Sequence, residues 1–330
     1  MIEKLFLKIW YNQNSFYIFF SIFFLPLSFI YLIIFYSKTY FIRVKRFNTP
    51  ILCVGNINVG GTGKTSTLLS LLPELLKNNP KLVILLRGYK GKIKTVHKVN
   101  PNKDSAINVG DEALMYADIA KTYISSNRAG AINEIISLES PDIIVLDDGF
   151  QDRGVHKDKN IILINGDRGL GNNLTIPSGP LREIPSLALK RADIIIFIGK
   201  DKNRVQVKYK ELFDSKLIFN GNIRATNKNL NQKYLAFSGI GNNQSFIDTL
   251  VVNNFNVVDT ILFPDHYQYS NNEIKNILNM AKEKGLIPIT TEKDMKRIAS
   301  EFKDQIQCFK IKIIFENQES LLNEIQKLKS

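Results

Sequence analysis

Residues 55–65 have the composition of a phosphate-binding loop between a strand and a helix. Glycines let successive backbone N–H groups turn toward a phosphate, and the N-terminus of the following helix favours negative charge. The ending Gly63-Lys64-Thr65 is that of a Walker A loop, although Asn58 stands where the first glycine is usual. A glycine-rich turn without a ligand is the alternative. The predicted nucleotide-binding residues are Val59, Gly60, Gly61, Thr62, Gly63, Lys64 and Thr65.

Two adjacent carboxylates, Asp147 and Asp148, follow the apolar run Ile143–Leu146. The carboxyl ends of parallel strands form the ligand crevice of an α/β sheet. Asp147 is therefore predicted to hold Mg²⁺ together with the Thr65 hydroxyl group, as a Walker B carboxylate does. Asp148 then remains available for another role. A strand-ending Asp-Asp-Gly turn is the simpler alternative.

Two further residues could take part in acid–base chemistry. Asp111 follows Gly110 and opens a predicted helix, so it is either a helix N-cap or a functional carboxylate. His266 lies in a predicted loop just after a strand, where a histidine is either a surface residue or an acid–base group. The residues alone leave both alternatives open.

Short apolar runs alternate with helical patterns after residue 49. Continuous apolar runs of this length are typical of strands buried on both faces of a parallel sheet. Strands alternating with helices predict an α/β fold with a doubly wound, mostly parallel sheet. The predicted strands are Ile51–Val54, Leu82–Leu86, Ile143–Leu146, Ile161–Ile164 and Ile194–Ile198, and the helices include Thr65–Lys77, Asp111–Lys121 and Ala129–Leu138.

A polar run at 227–233 indicates a seam, followed by a second, smaller α/β domain. Its predicted strands are Leu235–Ser238, Val257–Phe263, Ile287–Thr290 and Phe309–Phe315, separated by helices Gln244–Val252, Asn272–Lys284 and Glu316–Lys327. The predicted organisation is therefore a membrane anchor with a basic flank (1–46), a P-loop domain (47–226) and a smaller domain (227–330), with linker strands near 217–238.

The N-terminal region predicts a membrane helix. Phe16–Tyr36 is 21 residues long, and only Ser21, Pro26 and Ser28 in it are not strongly apolar. A helix of that length spans roughly 30 Å, enough to cross a hydrocarbon core. The segment runs into cations rather than a signal-peptide cleavage site, which places the rest of the chain on the cytoplasmic side. A helix lying in one leaflet is the alternative. These cations are Lys38, Arg43, Lys45 and Arg46.

Composition limits the classes of partner. The chain has 330 residues and a formal charge of +13, which suits anionic membranes or phosphorylated substrates. The charge is dispersed, and no basic run with interleaved aromatic residues predicts nucleic-acid binding. The two cysteines, Cys53 and Cys308, are in neither CxxC nor metal-ligand spacing, as is common in a reducing cytosol.

These motifs occur in an order that resembles the tetraacyldisaccharide 4′-kinase family, the lipid A 4′-kinases of Gram-negative bacteria. The resemblance covers nearly the whole chain. Besides residues 55–65 it rests on Arg87-Gly88-Tyr89, Val109-Gly110-Asp111-Glu112, Asp147-Asp148-Gly149-Phe150-Gln151, Pro177-Ser178-Gly179-Pro180-Leu181-Arg182-Glu183, Phe237-Ser238-Gly239-Ile240-Gly241, Asp265-His266-Tyr267 and Thr291-Glu292-Lys293-Asp294.

The resemblance implies a transfer of the γ-phosphoryl group of ATP, with Mg²⁺, to the 4′-hydroxyl group of an acylated glucosamine disaccharide 1-phosphate at the inner membrane. It also implies an ATP site between two domains joined by a two-stranded linker. Asp111, Asp148, His266 and Lys64 are then the expected catalytic residues, with Asp111 as the base and Asp148 paired with His266. The substrate or phosphate candidates are Arg87, Tyr89, Arg128, Gln151 and Arg182.

Two other classes of protein share some of these features. A membrane-associated P-loop GTPase or ATPase acting on a protein partner would share the loop. However, Thr291-Glu292-Lys293-Asp294 lacks the order and spacing of a guanine-specificity element. A membrane-tethered nucleotide-binding scaffold would not require Lys64, Thr65 and Asp147 together.

Overall fold

The computed structural model describes residues 2–12, 14–227 and 232–329. Contacts divide the chain into two compact units, each built from separate stretches of sequence. Unit 1 comprises Met1–Lys64, Ile132–Asn222 and Ile314–Ser330, and unit 2 comprises Thr65–Ala131 and Ile223–Ile313. These interleaved units do not test the domain limits predicted at residues 46 and 226, which stay predictions.

The strands and helices have the following bounds. The strands are β1 (Ile51–Gly55), β2 (Val83–Leu86), β3 (His97–Lys98), β4 (Lys121–Ile124), β5 (Ile144–Asp147), β6 (Lys159–Asn165), β7 (Ile194–Ile198), β8 (Leu217–Ala225), β9 (Lys233–Ser238), β10 (Asn256–Leu262), β11 (Ile287–Thr291), β12 (Gln307–Phe309) and β13 (Ile311–Phe315). The helices are α1 (Ile2–Tyr11), α2 (Ser15–Phe23), α3 (Leu25–Tyr40), α4 (Lys64–Asn78), α5 (Ala106–Val109), α6 (Asp111–Ala117), α7 (Arg128–Glu139), α8 (Pro185–Arg191), α9 (Val205–Lys208), α10 (Lys210–Phe213), α11 (Asn243–Val252), α12 (Asn271–Glu283), α13 (Glu292–Met295), α14 (Ser300–Lys303) and α15 (Gln318–Gln326), followed by a 3₁₀ turn at Lys327–Lys329.

Unit 1 contains a parallel sheet in the order β8-β7-β6-β1-β5. Every residue of β1, β5 and β7 is buried, as the continuous apolar runs predict. The strands predicted in this region and the large, mostly parallel sheet are confirmed. Because β1 and β5 are parallel neighbours, the residues that follow them lie at the same edge of the sheet, where α/β sheets bind ligands.

Unit 2 contains two groups of strands, ordered β2-β4-β3 and β10-β9-β11-β12. Strand β9 alternates its side chains between two buried clusters, because successive residues of a strand face opposite sides. Leu235 and Phe237 pack with α12 residues such as Ile277, whereas Tyr234 and Ala236 belong to the cluster that includes residues of α11. The smaller sheet thus has a core on both faces.

Two predicted elements are wrong in their extent. The helix predicted over Asp111–Lys121 ends at Ala117, and Lys121 begins β4, whose sequence Lys-Thr-Tyr-Ile is rich in strand-forming residues. The strand predicted over Phe309–Phe315 is two strands, β12 and β13, interrupted at Lys310, whose backbone N–H donates to Asn227 Oδ1. Most of the predicted polar seam, residues 228–231, lies outside the described part of the chain.

The single helix predicted over Phe16–Tyr36 is also wrong. The structure has two helices there, α2 and α3, bent by 48° at Phe24. Pro26 lies in the first turn of α3, where proline is favoured, and its ring cannot continue the hydrogen bonds of α2. Among the described residues no single helix is long and apolar enough to cross a membrane, but this bent pair is, by length and composition.

Candidate active site

The loop between β1 and α4 has the backbone of a sharp strand-to-helix turn. Gly60 and Gly63 have φ angles of 102° and 89°, a region that glycine adopts without strain. The buried Asn56 side chain donates through Nδ2 to the Thr62 hydroxyl group at 2.8 Å and so ties the loop to its own start. Asn58 donates to the Gly169 carbonyl oxygen at 3.1 Å. The asparagine at the usual glycine position therefore anchors the loop.

Asp148 lies beside this loop, and two cationic side chains approach one of its carboxylate oxygens. Lys64 Nζ lies 3.5 Å and Arg182 Nη1 2.8 Å from Asp148 Oδ1. The chain turns sharply here, because Asp148 has a φ of 53° and its N–H donates to the Val54 carbonyl oxygen. The close approach of Phe150 to β1 requires a glycine at 55, since a Cβ there would lie 2.6 Å from Phe150 Cβ.

Gln151 and Arg182, two predicted phosphate or substrate candidates, belong to the same cluster. Arg182 Nη1 also donates to Gln151 Oε1 at 3.1 Å, and Gln151 Nε2 donates to the Asn56 carbonyl oxygen at 2.9 Å. Glu183, the residue after Arg182, is fully buried and forms ion pairs with Arg153 and Arg191. The structure therefore brings four predicted site residues together in unit 1: Lys64, Asp148, Gln151 and Arg182.

Asp111 is the centre of a second cluster, in unit 2. It is the first residue of α6, and the N-cap is Gly110, so the N-cap interpretation of Asp111 is wrong. The side chain is 3% exposed, with His266 Nδ1 3.4 Å from Oδ1 and Arg297 Nη2 donating to Oδ2. His266 therefore lies beside Asp111, and the predicted pairing of Asp148 with His266 stays a prediction.

The pKa of Asp111 lies well below its usual value. Burial alone would raise this pKa, but the hydrogen bond with His266 and the charges of Arg297 and Lys293 outweigh burial. Burial lowers the pKa of Arg297, but the negative charge of Asp111 raises it. The pKa of Arg297 is therefore above its usual value. Asp111 is therefore a carboxylate at neutral pH.

Residues from two motifs hold Arg297 in place. Arg297 Nη1 donates to the Gly239 carbonyl oxygen at 2.7 Å and to Asp294 Oδ1 at 3.1 Å. Asp294 is fully buried and also accepts from the Gly239 N–H and the Tyr269 hydroxyl group. Arg297 was missed by the sequence analysis. Its position three residues after Asp294, on the following turn, was the available signal.

His266 has a φ of 59°, and its N–H donates to the Gly239 carbonyl oxygen at 2.8 Å. The Tyr89 ring stands at 67° to the imidazole ring, with centroids 5.7 Å apart. Both rings line a cavity of about 340 Å³, and Asp111 and Arg297 are among its other lining residues. Lys90 and Lys92 line the same cavity and make its wall cationic.

Thr65, one of the two predicted metal ligands, has an oxygen neighbour of the kind that Mg²⁺ requires. The Thr65 hydroxyl group donates to Glu112 Oε1 at 2.8 Å, and Lys293 Nζ donates to the same oxygen at 2.6 Å. No role for Glu112 was predicted from the sequence. Asp147 ends β5 and is 3% exposed. In the described part of the chain, His, Cys, Asp and Glu residues form no cluster of three or more suited to a metal.

The last two predicted candidates take different positions. Arg87 follows β2 and is exposed, whereas Arg128 is the first residue of α7 and is buried.

Comparison with known proteins gives concordant results. The family model for tetraacyldisaccharide-1-P 4′-kinase matches residues 20–329. A tetraacyldisaccharide 4′-kinase of Rickettsia bellii is 34% identical over 99% of both chains, and one of Rickettsia rickettsii is 32% identical over 98% of both. The crystal structure of the "apo" form of LpxK from Aquifex aeolicus in complex with ATP has a TM-score of 0.76 and 28% identity, over 94% of this chain and 99% of that one. The chain belongs to the tetraacyldisaccharide-1-phosphate 4′-kinase family.

Proposed function

We propose that this chain transfers the γ-phosphoryl group of ATP to the 4′-hydroxyl group of a tetraacylated glucosamine disaccharide 1-phosphate, a step of lipid A biosynthesis. Family membership supports the reaction, and the solved relative containing ATP supports the phosphoryl donor. The observation that carries the chemistry is Asp111, a buried carboxylate kept ionised on the wall of a cavity large enough for a sugar ring.

Asp111 acts as the proton acceptor. Its oxygen takes the proton of the 4′-hydroxyl group while that hydroxyl oxygen bonds to the γ-phosphorus. The bond from the γ-phosphorus to the β–γ bridging oxygen breaks, and ADP leaves with the bonding electrons. In a loose transition state the nucleophile needs orientation more than a strong base, so a carboxylate of low pKa is sufficient. His266 and Arg297 hold that carboxylate in place.

Lys64 and Arg182 neutralise phosphate charge. Both approach Asp148 Oδ1, which keeps the two cations close to the loop of residues 56–63. Loop N–H groups and fixed cations stabilise the charge that develops on the transferred phosphoryl oxygens. Asp148 therefore positions these two cations in this proposal.

The oxygen atoms near Thr65 fit Mg²⁺, which takes a few protein ligands and completes its shell with phosphates and water. Thr65 and Glu112 would hold the ion, and Asp147 would act as a direct or water-mediated ligand. When bound, Mg²⁺ supplies charge neutralisation of the nucleotide phosphates.

The N-terminal helices would hold the chain on the cytoplasmic face of the inner membrane. Large apolar side chains of α2 and α3 are exposed, among them Phe19, Phe23 and Phe29. Exposed apolar patches of this kind fit a membrane surface, and the exposed cations Arg43 and Lys45 fit anionic headgroups. An acylated substrate stays in the bilayer, so this attachment gives the enzyme access to it.

Incubation of the purified full chain with labelled ATP and a lipid disaccharide 1-phosphate tests the reaction. Chromatography of the lipids should show label in a bisphosphorylated disaccharide, and formation of this labelled product should require Mg²⁺. Release of labelled phosphate without a labelled lipid would contradict the proposal.

A further inference from the structure

The apolar helices α2 and α3 carry a narrow polar stripe. Ser21 and Ser28 are each 4% exposed, although their neighbours on the other faces are large, exposed apolar residues. Tyr31 follows Ser28 by three residues on α3, so these two side chains share one face of that helix. That face packs against another segment of the same unit.

Ser28, Tyr31 and Tyr36 make hydrogen bonds to one segment of unit 1, residues 175–184. The Ser28 hydroxyl group donates to the Thr175 carbonyl oxygen at 2.9 Å and accepts from the Ser178 N–H at 3.0 Å. The Tyr31 hydroxyl group donates to the Arg182 carbonyl oxygen at 2.6 Å. The Tyr36 hydroxyl group accepts from the Ile184 N–H at 3.3 Å.

The same segment approaches the phosphate-binding loop. The Val59 N–H donates to the Pro180 carbonyl oxygen at 2.7 Å, and the Arg182 N–H donates to the Ile57 carbonyl oxygen at 2.8 Å. The Arg182 backbone is thus held between the loop on one side and Tyr31 on the other. Its guanidinium group is the one that reaches Asp148.

We infer that Tyr31 is a positioning residue for phosphoryl transfer: its hydroxyl group fixes the Arg182 backbone so that the guanidinium group stays on Asp148 beside Lys64. The N-terminal helices then support the catalytic cluster in addition to attaching the chain to a membrane. This inference rests on the proposed roles of Arg182 and Asp148.

Tyr31→Phe tests the inference, because it removes one hydroxyl group and keeps the ring. The assay uses substrate dispersed in detergent micelles, where membrane attachment no longer limits access. Loss of one hydrogen bond of about 1 kcal/mol should lower kcat about fivefold. The KM for ATP and the thermal midpoint should stay close to the wild-type values. Tyr40→Phe, at a tyrosine that is 84% exposed, is the matched control and should keep wild-type kcat.

A double mutant tests whether Tyr31 acts through Arg182. If Tyr31 acts through Arg182, Tyr31→Phe should cost nothing further in an Arg182→Ala background. Wild-type kcat for Tyr31→Phe in detergent, or a full additive loss in the double mutant, would overturn the inference. A wild-type chain that phosphorylates no lipid would instead contradict the proposed function.

Discussion

Arg297 donates from Nη2 to Oδ2 of Asp111, and both side chains are almost completely buried in unit 2. A buried carboxylate ordinarily has a raised pKa, because burial disfavours its charge. Here the guanidinium group and His266 reverse that effect. Asp111 therefore combines burial, which excludes water, with the charge that a proton acceptor needs.

Arg297→Gln should lower kcat about 10- to 100-fold and move its pH dependence. The change removes a charged hydrogen bond of about 1.5–3 kcal/mol from Asp111. Since Arg297 holds the Asp111 pKa down, its loss raises that pKa, so the acidic limb of kcat against pH should move to higher pH. Arg224→Gln removes the same charge from an exposed position on β8 and is the control. An acidic limb that stays in place would contradict the role of Arg297.

Asp111→Asn and His266→Asn should each lower kcat and should not be additive. The two side chains form one unit, with Nδ1 3.4 Å from Oδ1, so the double mutant should be little worse than Asp111→Asn. Removal of a positioned acid–base group costs about 10²- to 10⁴-fold. Steady-state kinetics of the four proteins, with the KM for ATP measured in each, checks this. Near wild-type turnover in Asp111→Asn would transfer the base role to another residue.

Lys64→Ala should reduce phosphoryl transfer about 10²- to 10³-fold, because a fixed cation is lost from the transferred phosphate. Sedimentation with membranes should be unchanged, since Lys64 lies in the loop-to-helix turn rather than in α2 or α3. Lys282→Ala, at an exposed lysine of α12, is the control for removing one positive charge. Substantial activity in Lys64→Ala would contradict the Walker A assignment.

Glu112→Gln and Asp147→Asn should each raise the Mg²⁺ concentration required for half-maximal activity. Each change removes a negative oxygen ligand from the proposed ion. Activity titrated with Mg²⁺ at saturating ATP measures this requirement, and Glu139→Gln, in the last turn of α7, controls for loss of a carboxylate elsewhere. An unchanged requirement in Glu112→Gln would remove that residue from the metal site.

Phe29→Glu should weaken membrane binding while kcat in detergent stays near wild type. Phe29 is 66% exposed on α3, and a charge there opposes insertion into an apolar layer. Leu138→Glu, at a side chain that is also 66% exposed but lies on α7, should leave binding unchanged. Flotation with vesicles containing anionic lipid measures the difference. Equal binding by the two variants would show that α3 does not contact the bilayer.

Phe29→Glu tests membrane contact more specifically than deletion of residues 1–37, because the deletion would also remove the Ser28 and Tyr31 contacts.

The strands were predictable because their signal is local. Runs such as Ile194–Ile198 are apolar throughout and are buried throughout, so sequence and structure agree to the residue. The loop ending in Lys64 was predictable for a similar reason, since its residues are contiguous. Where neighbouring signals compete, as at Lys121, the predicted helix extended too far.

Side-chain pairing across the chain was not predictable in the same way. His266 is 155 residues from Asp111, and nothing in that spacing indicates that the two side chains are in contact. Arg297 belongs to none of the motifs, and its role appears only when Asp294 and Gly239 come together around it. Ser21 and Ser28 stood out as polar exceptions, but Asn172 and Ser178, which form hydrogen bonds with them, lie about 150 residues away along the chain.

The left-handed backbone at Asp148 and His266 affects how substitutions at these positions should be interpreted. With φ angles of 53° and 59°, both residues occupy a region in which asparagine is tolerated and most other side chains are strained. An alanine there removes the functional group and also disfavours the local turn, so a lost activity has two causes. An asparagine removes the charge or the imidazole ring while keeping the turn. Alanine scanning would therefore overstate the chemical contribution of these two side chains, whereas asparagine variants separate chemistry from backbone shape.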